Sequence, residues 1–181
     1  MKYKKQSVAA LVAIAAMALC GLVLVVTCAG NGGKDMAVKS AKEALLASVE
    51  YPDSVRIIAV SKPDSVFGRE YVTDEEKLNL AMTMMKVNDY MMSRTDSLEK
   101  IDINDTALND LMMRQMNASN SVRSLMHSGV IKSQQNRFTG YKVKIEFECV
   151  SEFGNRYHSE YWFITDRSGR HVINAYEIPV L

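Results

Sequence analysis

An uncharged run of 22 residues, Val8 to Ala29, follows Lys2, Lys4 and Lys5 at the start of this 181-residue chain. A helix rises 1.5 Å per residue, so about 20 apolar residues cross the ~30 Å hydrocarbon core of a bilayer. The run predicts an N-terminal membrane helix over residues 1–29 and withdraws those residues from any water-facing core. An uncleaved signal-anchor accounts for the length best. A cleaved signal peptide has an apolar stretch of about 7–15 residues and small residues before its cleavage site; here Val25, Val26 and Thr27 occupy that approach. A lipoprotein signal is the second reading, because Val25-Val26-Thr27-Cys28 resembles a lipobox and makes Cys28 a candidate lipidation site. Thr27 stands there in place of the usual Gly, Ala or Ser. Cleaved secretion ranks third.

Positive flanks stay cytoplasmic. Three lysines before the run, against Lys34 after it, place the N-terminus inside and the rest of the chain in the periplasm or outside the cell. Residues 30–34, glycine-rich and polar, read as a short flexible tether. Residues 35–181 then make one extracytoplasmic domain, a length that supports a single core.

Removing Lys2, Lys4, Lys5 and Lys34 from the 22 basic residues leaves 18 in the domain against 21 acidic ones. That balance, with no basic stripe, excludes a nucleic-acid binder and a polybasic lipid sensor. Cys20 and Cys28 belong to the apolar run, so Cys149 is the domain's single cysteine and no intradomain disulfide is available.

The hydrophobic periods predict an α+β fold: three main helices packed on a 3–4-stranded antiparallel sheet that ends in a C-terminal three-strand meander. Lys34–Val49 has helical spacing and stops before Pro52. Val55–Val60 reads as a short strand between two Pro-Asp-Ser-Val tetrapeptides. Thr73-Asp74-Glu75-Glu76 is a capping box opening a helix to about Arg94, and a further helix runs from Asn104 or Asp105 to Gly129. From Tyr141 to Cys149 the period changes to two, with Lys142, Lys144, Glu146 and Glu148 on the alternate side. Strands are expected near 140–151, 156–165 and 170–179, turning at Gly154-Asn155 and at Asp166–Gly169.

A two-residue turn at Gly154-Asn155 would pair Phe147 with Trp162 and Ile145 with Ile164. If Thr165 meets Arg170, Trp162 meets Ile173. The core face then carries Val143, Ile145, Phe147, Trp162, Ile164, Ile173 and Ala175. The other face carries Tyr161, Phe163, Val172, Tyr176 and Ile178, which calls either for the Lys34–Val49 helix as a cover or for a partner.

No HExxH, CxxC, P-loop, GxSxG or GxGxxG motif occurs, so neither catalytic residues nor a cofactor are assigned. His127 sits in a helix's last turn, where its charge suits the dipole. His158 falls opposite Glu177 and His171 opposite Ile164, too far apart for a metal pair. Ten of the 12 methionines lie beyond the apolar run. Met82 and Met85, with Met113 and Met116, have the helical-turn spacing of a thioether site for Cu(I). The stripes Leu78, Ala81, Met82, Met85, Met92 and Leu80, Met84, Val87, Met91 favour core packing instead, with a gripped apolar partner next.

Four Asp-(Ser/Thr)-apolar tripeptides, at Ser54, Ser65, Ser97 and Thr106, resemble an O-glycosylation acceptor of some Gram-negative envelopes. Turn and cap chemistry explains them equally and is favoured. The sequence thus points to a membrane-anchored, non-enzymatic binding or assembly module. Its candidate surface is Tyr161, Phe163 and Tyr176, and its partner a protein, a second copy or an apolar ligand. A small-molecule or Cu(I) binder is the alternative. The native protein released from its membrane is expected to show an unmodified intact mass that includes residues 1–29. A mass beginning at an acylated Cys28 overturns the anchor, and added hexose overturns turn chemistry as the sole role of the tripeptides.

Overall fold

A computed structural model of the chain describes residues 32–95, 104–127 and 137–181. They form an α+β fold of three helices and a five-stranded antiparallel sheet. Helix α1 covers residues 32–48, and a 3-10 turn, Pro52–Ser54, leads into β1 (Arg56–Val60) and β2 (Asp64–Phe67). Helices α2 (Asp74–Arg94) and α3 (Thr106–His127) follow, then β3 (Phe138–Val150), β4 (Arg156–Thr165) and β5 (Val172–Val180). The expected anchor over 1–29, Cys28 and Ser97 lie outside the described residues. Among the described residues no helix is long and apolar enough to cross a membrane.

The sheet order is β1-β3-β4-β5, with β2 also paired to β3. β1 takes the Ile145–Glu148 part of β3 and β2 the Phe138–Lys142 part, so two short strands share one edge of a 13-residue strand. The second Pro-Asp-Ser-Val tetrapeptide therefore opens a strand that the alternation pattern missed. Gly140 marks the tightest point of the sheet. A Cβ there would lie 1.8 Å from the Thr165 carbonyl oxygen.

The first hairpin of the meander closes three residues away from the expected register; the second closes two away, and the bulge between Ile164 and Thr165 adds a third. The first loop is five residues long: Ser151 N–H donates to Asn155 O, Gly154 N–H donates to Ser151 O, and Gly154 adopts φ +79°. Phe147 consequently pairs with Ser159, and Ile145 with Tyr161. In the second hairpin Asp166 N–H donates to His171 O, Thr165 pairs with Val172 through a bulge, and Trp162 meets Tyr176. A shift by an odd number exchanges the faces of a strand. Trp162 and Ile164 are accordingly buried on the face opposite Val143, Ile145 and Phe147, whereas Ile173 and Ala175, expected in the core, are exposed. His158 pairs with Val180 on β5 in place of Glu177.

Each face of the sheet has its own cover. Ala37, Ala41 and Leu45, one turn apart on α1, are fully buried against Tyr141, Val143, Ile145, Phe147, Cys149 and Phe163. Two alanines in that stripe let the helix come close. Its first turn rests on the β4–β5 turn, where Gly169 (φ +72°) would carry a Cβ 2.1 Å from Gly33 O and 2.7 Å from Ala37 N. Ser40 Oγ donates to Arg170 O at 3.1 Å. Residues 32–34, expected as tether, are helical, and Gly33 has no side chain to meet the Tyr141 ring it rests on.

The second face is covered by α2, with α3 along β5; Leu80, Ala118, Val122, Trp162 and Ile178 form its core. The lysines of β3 point this way, yet they are not on a solvated face. Glu76, third residue of α2, closes the capping box with Thr73 and also binds Lys142 Nζ at 2.6 Å and Lys144 Nζ at 2.7 Å. Lys142 donates as well to Tyr71 O at 3.3 Å, and Lys144 Nζ stands 4.1 Å from the centroid of the Trp162 ring. The ammonium over the aromatic face adds a cation–π attraction. Arg114 fastens α3 in a similar way: it reaches Glu177 at 2.6 Å and Asp110 at 3.2 Å and lies 3.3 Å over the Tyr157 ring.

Burial alone would raise the Glu76 pKa, but the hydrogen bonds from Lys142, Lys144 and Thr73 outweigh it and bring the value down to about 2. A carboxylate whose pKa is depressed on folding contributes stability above its unfolded value, and that stability is lost as pH falls toward the folded one. Glu76→Gln is expected to cost about 2–4 kcal/mol at pH 7, since two largely buried ammonium groups lose their counter-charge. In urea denaturation the gap between wild type and variant should narrow as pH drops from 4.5 toward about 2. A pH-independent gap would contradict the ionic role.

Candidate functional site

The three aromatic residues expected to form a docking surface do not share one. Phe163 is fully buried beneath α1, and Tyr161 stacks on it at 5.0 Å and is half-buried, its hydroxyl pKa raised by burial. Tyr176 is half-buried on the opposite face, beside Trp162, with its pKa pushed up to about 12 by burial. The three-residue slip in register separates Tyr176 from the other two, and α1 covers what remains.

Exposed apolar side chains occur at the sheet edges and loops, such as Ile57, Ile58, Phe67, Phe153 and Ile173, and on the helices α2 and α3. On α2, Leu80 and Val87 are buried and Met84 and Met91 half-buried, so the second of the two stripes packs inward. The first stripe does not. Leu78, Met82, Met85 and Met92 are 46–71% exposed, and on α3 Met112, Met113 and Met116 are 38–56% exposed. Core packing was the expectation for Met82, Met85 and Met92. It fails because α2 lies in a single layer on the sheet, which covers about one side of a helix, and α3 sits beside it.

The contacts between these helices fix how their outer faces combine. Arg94 binds Asp105 at 2.7 Å, Gln115 Nε2 donates to Met84 O and Asn88 Oδ1 at 3.1 Å, and Leu80 packs with Ala118 and Val122. Residue numbers rise on α2 as they fall on α3, so the pair is antiparallel. Met85 adjoins Met84, and Met112 and Met116 lie at −3 and +1 from Gln115. Helical spacing therefore brings these three thioethers to the outer side of the α2–α3 seam. Leu78, Met82 and Met92 extend that surface along α2, and Met113 lies further round α3. A patch of this kind, apolar and spread over two helices, is the form in which docking surfaces occur.

The remaining candidates are engaged in local structure. His158 Nε2 is 2.9 Å from Glu146 Oε1, His171 is exposed, and the side chain of His127 lies outside the described residues. Cys149 is buried, 3.1 Å from Ser54 Oγ. Ser54 Oγ also donates to Tyr51 O and accepts from Val150 N–H, so the hydroxyl is committed to the 3-10 turn. Ser65 is exposed on β2. Thr106 opens α3 behind Asp105, whose carboxylate accepts from Leu108 N–H at 3.0 Å as a helix cap. No group of three or more His, Cys, Asp or Glu among the described residues could hold a metal ion.

A cleft of about 290 Å³ opens where α2 ends and α3 begins, walled by Leu108, Leu111, Arg114, Tyr157, Pro179 and Val180. Its size is at the lower end for small-ligand sites, about 300–1,000 Å³. Arg94 and Arg114 on its wall already have carboxylate partners. Asp110, Asn155, Arg156 and His158 also line it, so apolar and polar side chains mix around the cleft. No protein-family profile, curated protein or solved structure matches this chain.

Proposed function

We propose that this chain is a membrane-anchored, extracytoplasmic binding or assembly module with no enzymatic activity, and that it grips a protein partner through the methionine face of α2 and α3. The observation that carries the reading is the exposure of Leu78, Met82, Met85, Met92, Met112, Met113 and Met116 on two adjoining helices. Thioether side chains are flexible and polarizable, and they fit irregular apolar surfaces without a preformed pocket. The apolar run Val8–Ala29 supports the membrane location.

The test is capture of partners by the full-length protein from its native membrane, with Met85→Lys and Met116→Lys combined as the comparison. Both positions are exposed, so the fold should survive, checked by Trp162 fluorescence and an unchanged denaturation midpoint. Loss of a stoichiometric partner in the variant is the expected result. Retention of every partner would remove the face from the proposal.

A small-molecule or Cu(I) site is the second reading, favoured by the position of Met82, Met85, Met113 and Met116 on neighbouring helices with all four thioethers accessible. Such soft ligands suit Cu(I). Titration of Cu(I) against a competing chelator is expected to show no tight site. Stoichiometric binding that Met82→Leu and Met116→Leu abolish would instead establish the metal reading.

A further inference from the structure

We infer that the partner on the methionine face is a second copy of this chain, packed through α2 and α3 about a two-fold axis. The inference rests on the reading of that face as a docking surface and adds the identity of its occupant. Three observations favour a copy.

The first is symmetry. An antiparallel helix pair is itself close to two-fold symmetric about the axis normal to it, so a rotated copy sets its helix rows against equivalent rows and closes the contact. Met85, Met112 and Met116 lie near the middle of the pair, around the Gln115 bonds to Met84 and Asn88, where a two-fold would pass.

The second is charge. The exposed side of α2 carries Lys86 and Asp89, one of each sign, beside Leu78, Met82, Met85 and Met92. Glu75 stands one turn before Leu78, and Asn109, Asn117, Asn120 and the exposed Arg123 accompany the methionines of α3, so the two signs stay balanced. A face without excess charge does not repel its own image. It also lacks the basic rim that an anionic lipid surface selects.

The third is area. The exposed parts of the seven side chains amount to roughly 700 Å², close to the ~800 Å² per partner of a stable interface of standard size. Among the described residues nothing else of this chain can cover the face, because α1 is engaged on the other side of the sheet. Methionine adds the adaptability that lets one surface repack against itself.

The experiment uses the full-length chain in its native membrane, with photo-reactive benzoylphenylalanine in place of Met85 and, as a control, in place of the exposed Lys39 on α1. An adduct of twice the chain mass from position 85, absent from position 39, is expected. Its cross-linked peptide should map to residues 78–92 or 112–116, and Met116→Lys should reduce its yield at least tenfold. An adduct with a different protein and none with a second copy overturns the dimer while leaving the docking face in place. No adduct at position 85 overturns both.

Discussion

Glu76 holds together parts of the structure that would otherwise repel or leave. Two lysines on alternate residues of β3 point at the face that α2 must cover, and an ammonium group taken out of water without a partner is among the costliest things a fold can bury. One carboxylate at the start of α2 answers both, and it closes the helix cap with Thr73 at the same time. The cap fixes where α2 begins, the lysines fix where it docks, and Trp162 gives the ammonium of Lys144 an aromatic surface to rest on. With α2 so placed, α3 follows through its seam with α2 and through Arg114 on Glu177 and Tyr157. The same network makes this side of the sheet sensitive to acid, because its stability depends on Glu76 staying ionised.

The opposite side depends on the absence of side chains. Ala37 and Ala41 allow α1 to approach the sheet, and Gly169 and Gly33 allow its first turn to meet the β4–β5 turn with almost no space between backbones. The two sides together make a sheet covered on both faces, with three layers in all. That arrangement takes up the aromatic residues of the meander, and among the described residues nothing lies over the outer surface of the α2–α3 layer. The methionines of the first α2 stripe are exposed there, and the proposed docking face rests on them.

Much of this was legible along the chain. The capping box at Thr73–Glu76, the helix to Arg94, the strand at Val55–Val60 and all three strands of the meander follow from local chemistry: hydrogen-bond caps, turn residues and hydrophobic period. Two things were not legible. A glycine-containing turn of four or five residues cannot be told from a two-residue one by composition, yet the difference slides the register by three and reverses which residues share a face. The two faces of an apolar helix are likewise equivalent in sequence. Leu78, Met82 and Met85 read the same as Leu80, Met84 and Val87 until the sheet selects one of them.

The α+β class and the order and type of the main elements could be read along the chain, since each depends on contacts within a few residues. The helix 34–49 was already the expected cover for Tyr161 and Phe163, but the burial of Lys142 and Lys144 as ion partners and the exposure of the methionines on α2 and α3 came from the packing. Those outcomes depend on which elements meet across 60 or more residues of chain, as Glu76 and Lys142 do. Burial and pairing at that distance follow from packing geometry, which no local pattern encodes.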